Sequence, residues 1–502
     1  MFSKTYAAAI RGIDAILVKV EADVRDGLPG LELVGFLASE LKEARERVRA
    51  AIHNAGILLP PKKITVNLSP ADVRKEGTAF DLAIAVAILA ASGYISMKSI
   101  ENIMFVGELS LDGCLNPVSG ILPTACCAGE NGFKSLIVPF RNRAEAALTG
   151  ALNVWGCDSL SDVLRLLSGE CQKPPLEEEV KEVLVKQPKQ PDFSEICGQR
   201  AAKRAIEVAV CGGHNLLFVG SPGSGKTMLA KCIPSIMPEL TLEESLELSK
   251  IYSVSGRMPV GGLIRKRPFI APHHSVTAAA MAGGGRCPKP GQVSLATHGV
   301  LFLDELPEFE RRTVELLRQP LEERRITVNR VTDCCDYPAS FMFVAAMNPC
   351  PCGAYPDRAK CHCTEPQIRR YQGKVSRAIL DRIDLIMQVS PIRFEELKDS
   401  GGGEDSSVIR ERVAAARSVQ LARYRGLGIR TNAELSASQF PQFCPIKKSG
   451  EEILKEAFFR YGLSARAYHR IIRVARTLAD MDGEDNIGEG HLYEAVGYRN
   501  MA

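Results

Sequence analysis

The chain has 502 residues, of which 45% are hydrophobic and 24% charged, and it carries a formal net charge of +4. This composition is typical of a globular chain of about two to four domains, and the charge is too small for a protein that coats nucleic acid, though not for a local basic surface. No apolar run reaches the roughly 18 residues that span a bilayer, and the N-terminus lacks a signal peptide's apolar segment and cleavage site, so we expect a cytoplasmic protein with no membrane partner.

Residues 1–168 alternate strand-like and helical segments and are expected to form the first domain. Strands are predicted in AILVKVEADV, KITVNL and SLIVP. SELKEARERVRAAIHNAG has the spacing of an amphipathic helix that ends at Gly56, and FDLAIAVAILAASG is predicted to be a buried helix that ends at Gly93. Residues 169–192 are rich in Pro, Lys and Glu and poor in large apolar residues, which predicts a linker.

Residues 193–395 are predicted to form a second domain, because short apolar strands alternate there with helices as in a parallel α/β sheet. The segment KDSGGGEDSS at 398–407 is expected to be a flexible joint. Residues 396–502 are otherwise predicted to be a helical domain, which includes SARAYHRIIRVARTLAD. The expected fold class is therefore α/β, with a parallel sheet and a helical C-terminal region.

A glycine-rich turn between a predicted strand and a predicted helix fits the phosphate-binding loop pattern. Backbone N–H groups of such a loop, and the helix N-terminus behind it, bind phosphates, which requires glycines for close approach. Lys226 is expected to contact the β- and γ-phosphates of ATP, and Thr227 to contact Mg²⁺. The predicted nucleotide-binding residues are Gly220, Ser221, Pro222, Gly223, Ser224, Gly225, Lys226, Thr227 and Asp304.

An acidic pair follows the next fully apolar strand. The run GVLFLDEL delivers Asp304 and Glu305 at its C-terminal end, the edge at which parallel sheets bind ligands. Asp304 is expected to hold Mg²⁺ through water, and Glu305 to orient or deprotonate the attacking water. Taken alone, such a pair is commonly a strand end that meets solvent; the preceding phosphate-binding loop favours a catalytic role.

Three further polar residues are candidates for phosphate contacts. Asn348 ends the strand FMFVAAMN and is expected to bond the attacking water or the γ-phosphate. Arg382, in SRAILDRIDL, is a candidate cation for developing phosphate oxygens, or it pairs with Asp381 or Asp384. Arg466 lies one turn before an arginine on the same helical face in LSARAYHR, where a solvated helix arginine is the alternative to a catalytic role.

Two Cys-x-Cys pairs lie in the loop NPCPCGAYPDRAKCHCT, formed by Cys350 with Cys352 and by Cys361 with Cys363. In a reducing cytosol such clustering indicates a metal site rather than disulfides. Four thiolates suit tetrahedral zinc, although Cys-x-Cys is tighter than the usual spacing and His362 is a possible replacement for one ligand. Reduced unliganded thiols and a redox switch are the alternatives. A catalytic zinc is not expected, because four protein ligands leave no open position.

The P-loop, acidic pair, polar residue, downstream arginine and helical lid together resemble an AAA+ ATPase. More closely, APHHSVTAAAMAGGGRCPKPGQVSLATHGVLFLDELPEF resembles the magnesium-chelatase-like ComM/YifB family. RERVRAAIHNAG, KEGTAFDLAIAVAILAASG, FVGELSLDG and LSARAYHRIIRVARTLAD match the family too, as does the CPCG and CxC element, so the resemblance covers nearly the whole chain.

This resemblance implies a helix-2 insert around 262–292 and a pre-sensor hairpin around 325–340. It also implies a homo-hexameric ring in which Arg382 acts across the subunit boundary. In the family's best understood branch the ring is a DNA branch-migration helicase that serves natural transformation, which implies ATP and Mg²⁺ as cofactors and branched or single-stranded DNA as the partner. The N-terminal domain is then a possible binding site for a recombination or uptake protein.

KEGTAFDLAIA and GELSLDGCLNPVSGILPTACCAGENGFKSLIVP resemble the proteolytic domain of Lon, an α+β fold of the ribosomal S5 type that uses a serine and a lysine. The resemblance puts Ala79 at the nucleophile position and Leu122 and Thr124 where the Lon lysines stand. Thr78 is a possible hydroxyl, but peptide cleavage needs a nucleophile together with a base. We therefore expect a domain without peptidase activity, used for partner binding or ring assembly.

Two other functions remain open from the sequence. A chelatase motor subunit would need separate porphyrin-binding subunits, and a protein-remodelling ATPase would use the N-terminal domain as its adaptor. For a DNA motor, the candidate pore contacts are basic residues that flank the two inserts, with ordinary solvated charge as the alternative. They are Arg265, Lys266, Arg267, Arg324, Arg325 and Arg330.

Overall fold

The structure is a computed structural model that describes residues 1–36, 38–170, 191–259, 262–285, 288–329, 334–391 and 403–499. Most of the predicted linker at 169–192 and half of the predicted joint at 398–407 therefore lie outside the described residues, as does Arg330. No helix in the described part of the chain is long and apolar enough to cross a membrane.

The N-terminal region is built on a mixed sheet. The strands of this region are β1 (Phe2–Arg11), β2 (Asp14–Arg25), β3 (Gly30–Val34), β4 (Lys63–Ser69), β5 (Ile103–Phe105), β6 (Glu108–Leu109), β7 (Leu115–Asn116), β8 (Ser135–Pro139) and β9 (Asn153–Cys157). The sheet order is β3-β4-β2-β1-β5-β8-β9, and β6 and β7 form a separate ribbon. β1 and β2 form an antiparallel hairpin, and β5, β8 and β9 run parallel to one another.

Helices cover this sheet. They are α1 (Ser39–Asn54), α2 (Asp81–Ala91), α3 (Ile121–Glu130), α4 (Arg143–Ala146) and α5 (Leu160–Ser168). Every residue of α2 is buried, because this helix packs on β1 and β2 on one side and against α1 on the other. Its alternation of alanine with larger aliphatic side chains lets both neighbours approach closely. The helices predicted to end at Gly56 and Gly93 are thereby confirmed.

The central region is a parallel sheet. The strands of this region are β10 (Leu216–Gly220), β11 (Phe269–Ile270), β12 (Gly283–Gly284), β13 (Lys289–Pro290), β14 (Val300–Leu303), β15 (Arg325–Asn329), β16 (Cys334–Pro338), β17 (Met342–Met347) and β18 (Leu385–Val389). The sheet order is β11-β14-β17-β10-β18, with parallel pairing throughout. β10, β14 and β17 are buried at every residue, which explains their continuous apolar sequence. The C-terminal ends of these strands carry the predicted site.

Helices surround the parallel sheet and continue into a helical C-terminal region. The helices of the central region are α6 (Arg200–Gly212), α7 (Lys226–Ile236), α8 (Leu242–Ser255), α9 (Ala278–Ala282), α10 (Gln292–Leu295), α11 (Arg311–Glu315), α12 (Arg318–Glu323), α13 (Glu365–Gln372) and α14 (Arg377–Leu380). Those that follow are α15 (Ser406–Arg423), α16 (Phe440–Phe443), α17 (Lys448–Tyr461), α18 (Ala465–Met481) and α19 (Glu489–Gly497). One hydrophobic cluster runs from the sheet through α6 and α7 into α15, α18 and α19. The predicted fold class is confirmed.

Contacts between α3 and α8 join the N-terminal region to the central one. The Gly120 N–H donates to the Ser253 carbonyl at 3.1 Å, and the Ser253 hydroxyl donates to the Glu145 carboxylate at 2.5 Å. Lys250 pairs with Asp14 at 2.8 Å. In the turn between β1 and β2, Ile13 packs against the hydrophobic cluster that holds the β15–β16 hairpin. The N-terminal region therefore contacts both the sheet's helices and its hairpin.

Candidate nucleotide site and cysteine cluster

The phosphate-binding loop leaves the central strand β10 and enters α7 through left-handed glycines. Gly223 and Gly225 have φ angles of 76° and 88°, a conformation that side chains with a Cβ rarely adopt. At Gly220 a Cβ would lie 2.3 Å from the Val389 carbonyl oxygen of the neighbouring strand β18. Glycine is therefore required at these positions by backbone geometry, and the loop N–H groups and the N-terminus of α7 are left facing one anion site.

Lys226 is buried and is held by the loop itself. Its ammonium donates to the carbonyl oxygens of Gly220 and Ser221, each at 2.8 Å, and to Asn348 Oδ1 at 3.3 Å. Burial lowers the pKa of Lys226, while the negative charges of Asp304 and Glu305 act in the opposite direction. The two carbonyl oxygens accept hydrogen bonds from the ammonium. Phosphate oxygens would replace them as acceptors when a nucleotide binds, which suits a nucleotide-binding lysine.

The acidic pair lies beside Thr227. The Thr227 hydroxyl donates to Asp304 Oδ2 at 2.6 Å, which brings a hydroxyl and a carboxylate oxygen together as hard ligands for Mg²⁺. Asp304 Oδ1 accepts from the backbone N–H of Glu305 at 3.0 Å. Glu305 itself adopts a left-handed φ of 53°, and its side chain is 58% exposed, with His274 Nδ1 at 3.9 Å. The carboxylate of Glu305 is thus largely exposed to solvent.

His274 was not singled out by the sequence reasoning. Its only signal was its place in the APHHS run that the family shares. The ring of His274 stacks on His273 with centroids 4.0 Å apart. It also meets Phe309 edge-on. These contacts hold the imidazole beside Glu305, so His274 is a positioning candidate for that carboxylate.

The two predicted arginines lie close together. Arg382 is buried and pairs with Glu322 of α12, not with the predicted alternatives Asp381 or Asp384. Asp384 is instead paired with Arg470, one turn beyond the exposed Arg466. Burial lowers the pKa of Arg382, and the nearby charge of Arg466 lowers it further.

The basic residues that flank the two inserts differ in their exposure and in their partners. Arg267 is a correction: its guanidinium is turned inward, where it donates to the His298 carbonyl at 2.7 Å and pairs with Glu244 at 3.0 Å. Arg324 pairs with Glu434 at 3.4 Å, and Arg325 is 60% exposed at the start of the hairpin. A largely covered guanidinium whose nitrogens are all hydrogen-bonded is a structural group, so Arg267 is removed from the candidate pore contacts.

The four cysteine thiols converge. Sγ of Cys350 lies 3.3 Å from that of Cys352 and 3.7 Å from that of Cys361, and Cys352 and Cys361 are 3.6 Å apart. All four sulfur atoms, including that of Cys363, lie within 4.8 Å of one another, and His362 is not part of the group. Four sulfurs at about 2.3 Å from one tetrahedral zinc are about 3.8 Å apart, so the donor set fits the metal in both number and spacing.

The Lon-like face has a hydroxyl, but Leu122 and Thr124 replace the lysines that the Lon resemblance would require. The Thr78 hydroxyl donates to the Glu108 carboxylate. Leu122 and Thr124, which stand at the lysine positions, are buried, and the Thr124 hydroxyl donates to the Gly120 carbonyl at 2.8 Å. This arrangement gives Thr78 a carboxylate partner and supplies no amine at the two positions compared with the Lon lysines.

Family models cover most of the chain. The model of magnesium chelatase, subunit ChlI, matches residues 192–397, and that of its C-terminal part matches residues 403–499. The model of subunit ChlI of Mg-chelatase matches residues 20–142. The matches therefore extend over all three regions of the structure.

The same similarity is seen in individual proteins. The chain is 43% identical to competence protein ComM of Haemophilus influenzae over 500 residues, which are 99% of this chain and 97% of that protein. It is also 43% identical to YifB of Escherichia coli over 503 residues, with the same shares of each chain. Lon protease of Mycolicibacterium smegmatis is 24% identical over 167 residues, 31% of this chain and 21% of that protein. This weaker match supports the predicted Lon-like N-terminal region.

Proposed function

The chain is a magnesium-chelatase-like AAA+ ATPase of the ComM/YifB family, and from that premise we propose that ATP hydrolysis drives it along DNA as a branch-migration helicase used in natural transformation or recombination. The observation that carries this proposal is 43% identity over 99% of the chain to a competence protein. The convergence of Lys226, Thr227, Asp304 and Asn348 at one sheet edge supports the hydrolytic half of it.

Each residue of the site has a separate role in this proposal. The loop N–H groups and Lys226 bind the phosphates of ATP, and Thr227 with Asp304 would hold Mg²⁺. When bound, that ion neutralises charge on the β- and γ-phosphate oxygens. Glu305 orients or deprotonates the attacking water, and Asn348 donates its amide to the γ-phosphate or to that water. Glu305 acts on the transition state rather than on binding, so its loss lowers kcat and spares affinity.

We also propose that the working form is a homo-hexameric ring. In that ring Arg382 leaves Glu322 and contacts the γ-phosphate held by the neighbouring subunit, and Arg466 contacts the nucleotide from the helical lid. Arg382 is 4% exposed in the single chain, and its Nε has no hydrogen-bond partner among the described residues. A buried guanidinium left partly unsatisfied costs free energy, which favours its transfer to a phosphate.

The division of labour along the chain is part of the proposal. Residues 1–168 would be a Lon-like domain that binds a recombination or uptake protein, 169–192 a linker, 193–395 the ATPase core and 396–502 the lid. Arg324 and Arg325 start the hairpin that would contact DNA phosphates. Arg330 belongs to the same hairpin by sequence.

We propose that Cys350, Cys352, Cys361 and Cys363 hold one structural zinc. The fit of four convergent thiols supports zinc over unliganded thiols. Zinc would close the loop by cross-linking its two ends, which restricts the loop in a way that backbone hydrogen bonds alone do not. No step of ATP hydrolysis is assigned to it.

DNA-stimulated ATP hydrolysis tests the motor function. Purified protein should hydrolyse ATP several-fold faster with branched or single-stranded DNA, and DNA affinity should fall steeply with salt because phosphate contacts dominate it. Arg324 and Arg325 replaced together by alanine should flatten that salt dependence and leave basal hydrolysis unchanged. Stimulation by an unfolded protein without any DNA effect would favour protein remodelling, and stimulation by porphyrin-binding subunits would favour a chelatase.

A further inference from the structure

We propose that α13 forms one wall of the ATP site and that Arg370 on this helix contacts the γ-phosphate of its own subunit's nucleotide. A cavity of about 460 Å³ lies beside the site, and its lining includes Glu305, Glu308, Asn348, Arg370, Tyr371 and Lys374. Two of these residues belong to the predicted hydrolytic site. Arg370 and Tyr371 belong to a helix to which the sequence assigned nothing. The inference rests on the assignment of ATP hydrolysis to Lys226 and Glu305.

Contacts to the strand end hold α13 against the site. Tyr371 is buried, and burial raises the pKa of its hydroxyl to about 12, while the nearby Asn348 backbone acts in the opposite direction, so the hydroxyl stays neutral. Gln372 Nε2 donates to the Pro349 carbonyl at 3.1 Å. The helix α13 therefore packs against Asn348, which should contact the γ-phosphate, and against Pro349, the next residue in the chain.

The cysteine loop fixes the other end of α13. Cys363 is followed at once by Thr364, the N-cap of α13, whose backbone N–H donates to Gln367 Oε1 at 2.9 Å. At the far side of the loop, Gly353 has a φ of 79°, and a Cβ on it would lie 2.3 Å from Pro222 Cδ in the phosphate-binding loop. The loop thus touches the phosphate-binding loop directly and leads straight into α13.

Two carboxylates, Glu305 and Glu308, line the cavity together with Arg370, but neither forms an ion pair with Arg370 among the described residues. Lys374 pairs with Glu308 at 3.1 Å and lies over the Tyr371 ring, so its charge is already compensated. In the described part of the chain no carboxylate lies within salt-bridge distance of Arg370, which is exposed to the cavity. The γ-phosphate of ATP is the anion expected between Glu305 and Asn348. A guanidinium binds such a phosphate by two parallel hydrogen bonds.

Arg369 is a matched control because it precedes Arg370 on the same exposed helix and does not line the cavity. Arg370→Ala should lower kcat by about 100-fold, the usual cost of removing one preorganised donor from developing charge. Arg370→Lys should restore part of that rate, and Arg369→Ala should hydrolyse ATP as the unmodified protein does. Circular dichroism and thermal unfolding check that each variant is folded.

Nucleotide discrimination separates a phosphate contact from a merely structural role. In the Glu305→Gln background, which stops turnover, ATP should bind more tightly than ADP, and adding Arg370→Ala should remove about tenfold of that preference. Unchanged discrimination would overturn the contact. If Glu305→Gln alone left hydrolysis intact, the proposed ATP site would fail instead, so the two failures are distinguishable.

Mixed rings test whether Arg370 acts within its own subunit. Arg370→Ala and Glu305→Gln protein, mixed and reassembled, should stay inactive, because each subunit lacks one group of its own site. If Arg370 instead acted on the site of the neighbouring subunit, an Arg370→Ala subunit would keep its own Glu305. It would then receive an intact Arg370 from an adjacent Glu305→Gln subunit, which would complete its site. Recovered hydrolysis in the mixture would therefore contradict the assignment.

Discussion

Two threonine hydroxyls in this chain each donate to a carboxylate, but the groups that surround the two pairs differ. Thr227 donates to Asp304 at the edge of the parallel sheet, and Thr78 donates to Glu108 on the Lon-like face. Beside the first pair lies Lys226, whose ammonium donates to the carbonyl oxygens of the phosphate-binding loop. In the segment that leads to the second pair, Lys75 is buried and donates to the carbonyl of Pro70, and among the described residues Asp72 is the only carboxylate that acts on its pKa.

The difference teaches that a threonine paired with a carboxylate is not by itself a reactive group. A threonine with a carboxylate is expected to hold a metal where a phosphate-binding loop lies beside it, as at Thr227 and Asp304, and to form only a hydrogen bond where none does, as at Thr78 and Glu108. The Lon-like face has instead become part of an internal contact. A cavity of about 450 Å³ beside it is lined by Thr78, Ala79 and Glu108 and, from the central region, by Lys289 and Tyr337. Chemistry is therefore expected from one pair and not from the other.

The largest effects should come from the central site. Lys226→Ala should abolish nucleotide binding, because it removes the only buried cation that reaches the carbonyl groups of the loop in the described residues. Glu305→Gln should bind ATP normally and lower hydrolysis by at least about 1,000-fold. Titration calorimetry and phosphate release distinguish these outcomes. Hydrolysis by Glu305→Gln at the native rate would contradict the catalytic assignment of the central site. The two hydroxyl–carboxylate pairs would then no longer differ in the chemistry expected beside them.

The cysteine cluster lies beside the central site, and metal removal should separate the two regions. Elemental analysis should find about one zinc per chain, and Cys361→Ser should lose it. Thermal unfolding should then show a destabilised central region while the N-terminal region keeps its own transition. Cys444→Ser is the matched control, because Cys444 is buried outside the cluster. A metal-free native protein with four freely reacting thiols would instead favour the unliganded alternative.

The dependence of stability on pH should also distinguish the central region from the N-terminal region. His214 is fully buried next to β10, with Nε2 2.8 Å from the Thr477 hydroxyl of α18 and Nδ1 3.9 Å from Asp384. Burial, only partly offset by the charge of Asp384, lowers its pKa from 6.5 to about 4. Between these values the unfolded chain binds a proton that the folded chain does not, so stability falls as pH drops.

The expected loss from His214 is about 3 kcal/mol between pH 6.5 and 4. Denaturant unfolding followed in the central region should give a shallower pH dependence in His214→Gln than in the native chain. The slopes are compared rather than the absolute stabilities, because the substitution also changes the bond to Thr477. Equal slopes would show that another group controls the acid response.

The sequence predicted the parts of the site that are local in the chain. The phosphate-binding loop, the acidic pair and Asn348 each follow a strand whose apolar run is visible, and parallel strands bring such ends together. The convergence of four thiols followed from the spacing of two short pairs in one loop. Each of these depends on residues close together in sequence, where backbone geometry is nearly sufficient.

What the sequence did not reveal depends on contacts between distant segments. Arg267 is drawn inward by Glu244, and Arg382 by Glu322, 60 residues away in the chain. Neither pairing leaves a periodic signal, because each requires two elements to pack in one particular arrangement. The docking of α13 on Asn348 through Tyr371 was missed for the same reason.

A smaller effect is expected where the two regions touch. The Ser253 hydroxyl is buried and donates to Glu145, a carboxyl whose pKa is raised by burial. Ser253→Ala leaves that carboxyl short of one donor and should destabilise the contact by about 1–3 kcal/mol. Lys250→Ala is the control: its partner Asp14 is 68% exposed, so the loss should stay within about 1 kcal/mol. If Ser253→Ala and Lys250→Ala lowered the free energy of unfolding equally, the buried hydrogen bond would contribute no more than the exposed ion pair.

The smallest effect should come from the other hydroxyl. Thr78→Ala should leave ATP hydrolysis unchanged and alter no peptidase activity, because the native chain should have none to lose. The Lon resemblance puts Ala79 at the nucleophile position, and the buried Leu122 and Thr124, which it puts at the lysine positions, supply no amine to accept a proton. The measurement is cleavage of an unfolded protein, with and without ATP, by the native chain, Thr78→Ala and Glu305→Gln. Cleavage that survived Glu305→Gln and vanished in Thr78→Ala would make Thr78 a nucleophile and reverse the comparison between the two pairs.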